Sequence, residues 1–375
     1  MCSRLIVRSL CFQVVLVAGC ASSDRRADFS GIEPFWRIAE TYERDDLPSS
    51  EQWQELFATP GYATARRHDN ADRLLETLLP VALAPSRAAE RAELAAAADW
   101  RASYVDHYRG AMAQRDELQR FARELQDRDL IAEVLADTAA WLPANTLQWT
   151  TPPDISFVIL EPDARGYERV VMDLCLALDL GDALGPTLAH ESHHVLRNQL
   201  SLVDVPEGDF PERDLVASLD NLQAEGVADQ IDKADYLGKD DWGSSPLQRI
   251  LAAMNLRYRK AYAQADETLA AMDRLLAAWL ADPSGAAEVG SELRSLLVLG
   301  GHPVGFRMAN TVLEAFGRER LAANVGDPFA FVADYSDAAA QLGDRHVFSS
   351  EALAAVERLA DAFRAQAPKV GSTRD

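Results

Sequence analysis

Pro186-Thr187-Leu188-Ala189-His190-Glu191-Ser192-His193-His194-Val195-Leu196-Arg197-Asn198-Gln199 is the stretch around which the rest of the chain is organised. It carries the pattern H-E-x-x-H, with His190 and His194 as the outer pair. Residues four apart on an α-helix lie on one face, about one turn from each other, so both imidazoles can reach one metal ion. Glu191, next in line, can then stand beside a water at that ion. Chance supplies roughly 0.01 such matches in a chain of this composition, so the pattern points to zinc. The flanks favour a helix. Pro186 suits a first helical position, where its missing N–H would be unpaired anyway. Leu188, Ala189, Val195 and Leu196 supply an apolar face, so the histidines look from a buried helix into a cleft.

Working outward, the texture on the N-terminal side is β-prone. Ile155, Phe157 and Ile159 alternate with Ser156 and Val158, Glu161 to Gly166 forms a turn, and Arg169 to Leu178 is a second β-prone run. The expectation is a hairpin or two antiparallel strands just before the metal helix. On the C-terminal side Ser201 to Asp209 reads as a loop. Pro211 to Leu237 then reads as a second strong helix with Leu215, Leu219, Leu222, Val227 and Ile231 as its apolar stripe.

A catalytic zinc takes three protein ligands and keeps one position open. A metzincin pattern would need Gly and His where this chain has Arg197 and Leu200, so that reading fails. The second helix contains Gln223-Ala224-Glu225-Gly226-Val227-Ala228-Asp229, with Glu225 31 positions past His194. Here the chain resembles the gluzincins, the thermolysin-like zincins, and is most similar to a set of uncharacterised bacterial zinc-dependent peptidases. The likeness is firm from about Ile155 to Leu237 and weaker to about Gly317. It implies that His190, His194 and Glu225 are the zinc ligands and Glu191 the general base. It also implies that Asp229 fixes the ring of His190 from behind, and that Gly226 leaves room for its helix to approach the metal. Ala224 departs from the family pattern, which has Asn there to contact the second histidine. The resemblance further implies an edge strand lining the cleft, to which a peptide adds by backbone hydrogen bonds.

His302 sits in Gly300-Gly301-His302-Pro303, at the mouth of a helix that Pro303 starts and Gly317 ends. It is either the donor that gluzincins aim at the developing oxyanion or a helix-capping residue, with Arg307 and Tyr236 as weaker candidates. His193, off the ligand face, reads as a partly buried, hydrogen-bonded imidazole, the alternative being a residue that binds substrate or supports a ligand. His68 and His107 stand alone and read as surface or capping residues.

The chain begins with Arg4 and Arg8, then an apolar run from Leu10 to Ala18 too short to span a bilayer, then Leu16-Val17-Ala18-Gly19-Cys20. This resembles the lipobox of bacterial lipoproteins. The resemblance implies that residues 1–19 are a signal peptide and that Cys20 is lipidated. With no Asp after Cys20, it further implies residence at the outer membrane, on the periplasmic side. Of the four cysteines only Cys175 then remains, so no intramolecular disulfide is possible.

The formal charge of −22 argues against nucleic acid as a partner and against polybasic adhesion to lipid, so contact with the membrane is through the anchor only. The expected fold is mainly α (α+β). A zincin-like core with a small antiparallel β element before the H-E-x-x-H helix is embedded in a large helical body. The expected boundaries are 1–19 signal peptide, 20–30 tether, 31–150 N-terminal helical region, 151–320 catalytic region and 321–375 C-terminal helical region. In the helical regions long helices are expected over Arg87–Tyr108, Ala113–Leu142 and Gln248–Trp279. The function these features point to is a zinc-dependent metallopeptidase in the bacterial cell envelope, acting on a peptide or protein. The same residues would also serve a zinc hydrolase of non-peptide amides or esters, or a non-catalytic metal-binding lipoprotein. Oligomeric state is not legible.

Overall fold

The computed structural model describes residues 27–97, 99–203, 211–240 and 246–366. The expected signal peptide, with Cys20, lies outside the described residues. The protein is mainly helical with one small sheet. Among the described residues no helix is long and apolar enough to cross a membrane.

The sheet has three strands, β1 (Ile155–Val158), β2 (Ala164–Gly166) and β3 (Val170–Asp173), in the order β1-β3-β2. β2 and β3 form the antiparallel hairpin, and β1 runs parallel to β3 with Ile155 opposite Val170. This corrects the expected antiparallel pairing of the 155–159 and 169–178 runs. What read as a plain turn at 161–166 contains a strand of its own, so the chain reverses twice and β1 returns parallel. β1 and β3 are buried throughout, and the hydroxyl of Tyr62 bonds both the N–H and the C=O of Ile159 at the end of β1. β3 stops at Asp173 because its carboxylate accepts from the N–H of Leu176 and caps a helix over Leu174–Leu180. The rest of the β-prone run is therefore helical.

The tether expected over 20–30 enters the described residues at 27–30, and there it belongs to the body. Asp28 bridges to Ser156 in parallel, with its N–H on the carbonyl of Ile155. Phe29 stacks on Phe157 at 4.6 Å between ring centroids.

Apolar side chains gather into two cores, and the motif helix (Leu184–Leu200) lies at their seam. Its Leu188, Ala189 and Val195 join the N-terminal helices and the sheet, whereas Leu196 joins the C-terminal helices. The long helices expected from composition are each interrupted. The run Arg87–Tyr108 divides into helices Ala88–Ala96 and Arg101–Ala113, the next breaks at Asp127–Asp129, and the last at Gln264, between helices Pro246–Ala263 and Ala265–Ala281. Asp129 marks its own break by accepting from the N–H of Ala132. At Gln264 no Gly or Pro announces the turn, so periodicity runs straight through it.

Candidate metal centre

The motif helix opens at Leu184, after a 3-10 turn at Gly181–Ala183, so Pro186 is its third residue and not its first. Thr138 donates to the carbonyl of Ala189 and ties the buried side of this helix to helix Leu130–Ala139. On the other side lies the acidic helix, Arg213–Gly238. Arg197 clamps the two, since its buried guanidinium binds Asp220 and, at 2.9 Å, the side-chain oxygen of Gln223. The residue that breaks the metzincin pattern thus holds together the two helices that carry the candidate ligands.

That clamp sets Glu225 opposite the histidines. His190 and His194 bring their Nε2 atoms to 3.1 Å of each other. Glu225 Oε2 lies 3.2 Å from His194 Nε2 and 3.7 Å from His190 Nε2. This oxygen is buried and makes no hydrogen bond. A buried carboxylate oxygen left without a donor is costly, so its surroundings call for a cation. Donors held about 2.0–2.1 Å from one tetrahedral ion stand about 3.3 Å apart, and the separations here bracket that value. Two imidazoles and a carboxylate also form a donor set that suits zinc. The residues present fit the metal.

The sequence brings a third helix to the same point. Gly226, on the acidic helix, faces Gly305 on helix His302–Phe316 so closely that a Cβ on Gly226 would meet the carbonyl of Gly305 at 2.3 Å. The expected use of Gly226, to let its helix near the metal, is corrected: the room is taken by the neighbouring helix. The crossing carries His302 to the site, with its Nε2 3.2 Å from Glu225 Oε2.

Residues 53–344 match the family described as "Putative zinc dependent peptidase (DUF5700)". The chain belongs to this family. No curated protein matches the chain, and no solved structure does.

In this family member the carboxylates behind the histidines are shared out differently from the expectation. His190 Nδ1 lies 3.0 Å from Asp232 Oδ1 and 3.7 Å from Asp229. Asp232 therefore orients His190. Asp229 instead accepts from the Tyr258 hydroxyl and pairs with His302 Nδ1 at 3.1 Å. Lys233 lies 2.6 Å from Asp232 and 3.6 Å from Asp229, and so binds both. Asp232 was open to discovery, because it lies seven residues, two turns, past Glu225 on the same face. Tyr258 gave no signal, because its helix is brought in only by the tertiary fold.

Burial pushes the Glu191 carboxyl above its ordinary range, against the pull of His190 and His194. Burial acts the same way on Glu225, but the imidazoles of His194 and His302 overcome it and hold that carboxyl well below its ordinary range. His193 is fully buried with Nε2 3.3 Å from the carbonyl of Trp141, in line with the structural role expected of it.

A cleft of about 480 Å³ opens onto His190, His194 and Glu225 and is lined by 162–167 and by Leu176, Leu180, Leu251 and Met254. β2 is its edge strand. Gly166 presses on the motif helix so tightly that a Cβ there would lie 2.3 Å from the carbonyl of Glu191 and 2.8 Å from His194 Cβ. Tyr236 lines the cleft and donates to the carbonyl of Leu251, whereas Arg307 pairs with Asp266 at 3.0 Å. The two remaining N-terminal histidines are not alone. His68 stacks on Tyr167 and lies 3.0 Å from Glu168. His107, half-buried, pairs with the buried Asp173 at 3.1 Å.

Proposed function

We propose that the protein is a zinc-dependent metallopeptidase of the gluzincin type, held in the bacterial cell envelope by lipid on Cys20. The observation that carries the catalytic part is the buried Glu225 oxygen, left without a hydrogen bond while histidine nitrogens from two other helices face it. The anchor rests on the Leu16-Val17-Ala18-Gly19-Cys20 pattern.

His190, His194 and Glu225 would hold the ion, with Asp232 keeping the His190 ring turned toward it. Zinc, when bound there, acidifies water and polarises a carbonyl. The chain does the rest. A peptide enters the cleft beside β2, whose outer edge offers backbone groups that recognise an extended chain with little regard for sequence. Glu191 lies 4.0 Å from His190 Nε2 on the cleft side of the ligands. Its carboxylate takes the proton of the attacking water and delivers it to the departing amine. A carboxyl whose affinity for protons is raised by burial is suited to both halves of that transfer.

The test is Glu191→Gln in the full chain, purified from membranes in detergent and given a mixed peptide pool. Zinc content should stay at one ion per chain while peptide cleavage falls by about 100-fold or more. A variant as active as the wild type ends the mechanism. Cys20→Ala should move the protein out of the membrane fraction, and a variant that stays there ends the lipid anchor.

A further inference from the structure

We propose that His302 is a fourth protein ligand of the metal, and the one that leaves. The proposal rests on the zinc reading and concerns what fills the remaining position in the resting protein.

His302 is presented to the site as His190 is. His190 turns Nδ1 to a carboxylate, Asp232, at 3.0 Å, and His302 turns Nδ1 to both oxygens of Asp229, at 3.1 and 3.2 Å. A ring held this way carries its hydrogen on Nδ1 and offers the Nε2 lone pair, which is the usual support of a metal-bound histidine. The His302 lone pair stands 3.2 Å from Glu225 Oε2, as far as that of His194 does. The His190 and His302 rings are within 18° of parallel. With the hydrogen on Nδ1, the nitrogen lone pair and the carboxylate oxygen repel at that distance unless a cation lies between them, either a metal ion or a second ring proton. An oxyanion donor has the opposite requirement, an N–H on Nε2 directed over the substrate.

His302 is also the ligand built to move. Its side chain is 29% exposed, against 4% for His190 and 13% for His194. It is the first residue of its helix and follows Leu299, Gly300 and Gly301, whose φ angles of 54°, 65° and 96° all lie in the left-handed region. Leu299 pays strain there, since a branched side chain disfavours that backbone. His190, His194 and Glu225 instead lie inside their helices, Leu184–Leu200 and Arg213–Gly238, with helical turns on both sides. The resting site is therefore closed by four side chains, and the His302 ring withdraws when substrate and water share the ion.

The experiment compares wild type, His302→Asn, Glu191→Gln and Glu225→Ala as full chains. Zinc affinity is read by competition with a chromophoric chelator, and coordination by the visible absorption of the Co²⁺-loaded proteins. His302→Asn retains a donor to Asp229 and removes the nitrogen facing Glu225. It should weaken zinc binding by about tenfold or more and change the Co²⁺ bands toward a site open to water. Glu191→Gln should leave both unchanged. His302→Ala should repeat the His302→Asn result. If both His302 variants keep the wild-type affinity and spectrum, the proposal is overturned even where cleavage is lost, and His302 is an oxyanion donor. If Glu225→Ala loses zinc while the His302 variants do not, the zinc reading stands and only this inference fails. If the wild type itself binds no stoichiometric metal, both fall.

Discussion

Asp229 and Asp232 are both carboxylates on the acidic helix, yet they orient different histidines, and mutation separates them. Asp232→Asn loosens the ring of His190 alone, because Asp229 is 3.7 Å from it and engaged with Tyr258 and His302. Loss of such a partner weakens metal binding by about 10- to 100-fold. We expect zinc affinity to fall by that amount in Asp232→Asn with the far-ultraviolet circular dichroism unchanged, and an unaltered affinity would remove Asp232 from the centre. At this scale the sequence was legible where the chemistry is local. His190, Glu191 and His194 are fixed by helical spacing alone, because four residues make one turn. Glu225 needed family likeness to single it out among the other acids of its helix. The fourth residue from Glu225 was assigned to the ring that the seventh in fact holds, because spacing gives the face of a helix and not the depth at which a neighbour crosses it.

At the scale of the elements, the site depends on how closely three helices approach. A glycine inside a helix is ordinarily about 1 kcal/mol less favourable than alanine, so Gly→Ala there should stabilise. At Gly226 and Gly305 the sign reverses. A Cβ on Gly305 would lie 2.3 Å from the carbonyl of Leu222 and 3.0 Å from the Gly226 nitrogen, which are backbone atoms that cannot turn aside. Gly305→Ala should therefore destabilise by about 1–3 kcal/mol in urea denaturation, and it should weaken zinc binding as His302 is carried outward. A variant as stable as the wild type would show that the crossing relaxes at little cost. The sequence announced where these helices begin and end when a residue marks the place, as Pro303 and Gly317 do. It was silent at Gln264, where the chain turns without a breaking residue. It also misjudged the pairing of β1, because the alternation over 155–159 marks a strand but not the direction in which its partner runs.

On the scale of the whole molecule, the motif helix contributes to both apolar cores, and His190 and His194 face a helix of the second. Occupancy of the centre should then be felt through the entire fold. A ligand that binds only the folded chain adds about 2.7 kcal/mol when its concentration is a hundred times its Kd. Removing zinc with a chelator should lower the melting temperature by several degrees, and restoring zinc should reverse the shift. Because the motif helix joins the cores, unfolding should remain a single transition with and without metal, its midpoint moving as one. Glu225→Ala provides the control. It removes the carboxylate proposed to couple the acidic helix to the histidines, so its melting temperature should respond far less than that of the wild type to chelator and to added zinc. A wild type that melts at one temperature in both conditions would mean that the ion does not bind this seam. A second transition appearing only without metal would mean that the cores are joined by the ion and not by the helix. Leu188, Val195 and Leu196, fully or nearly fully buried in one core or the other, argue for the helix.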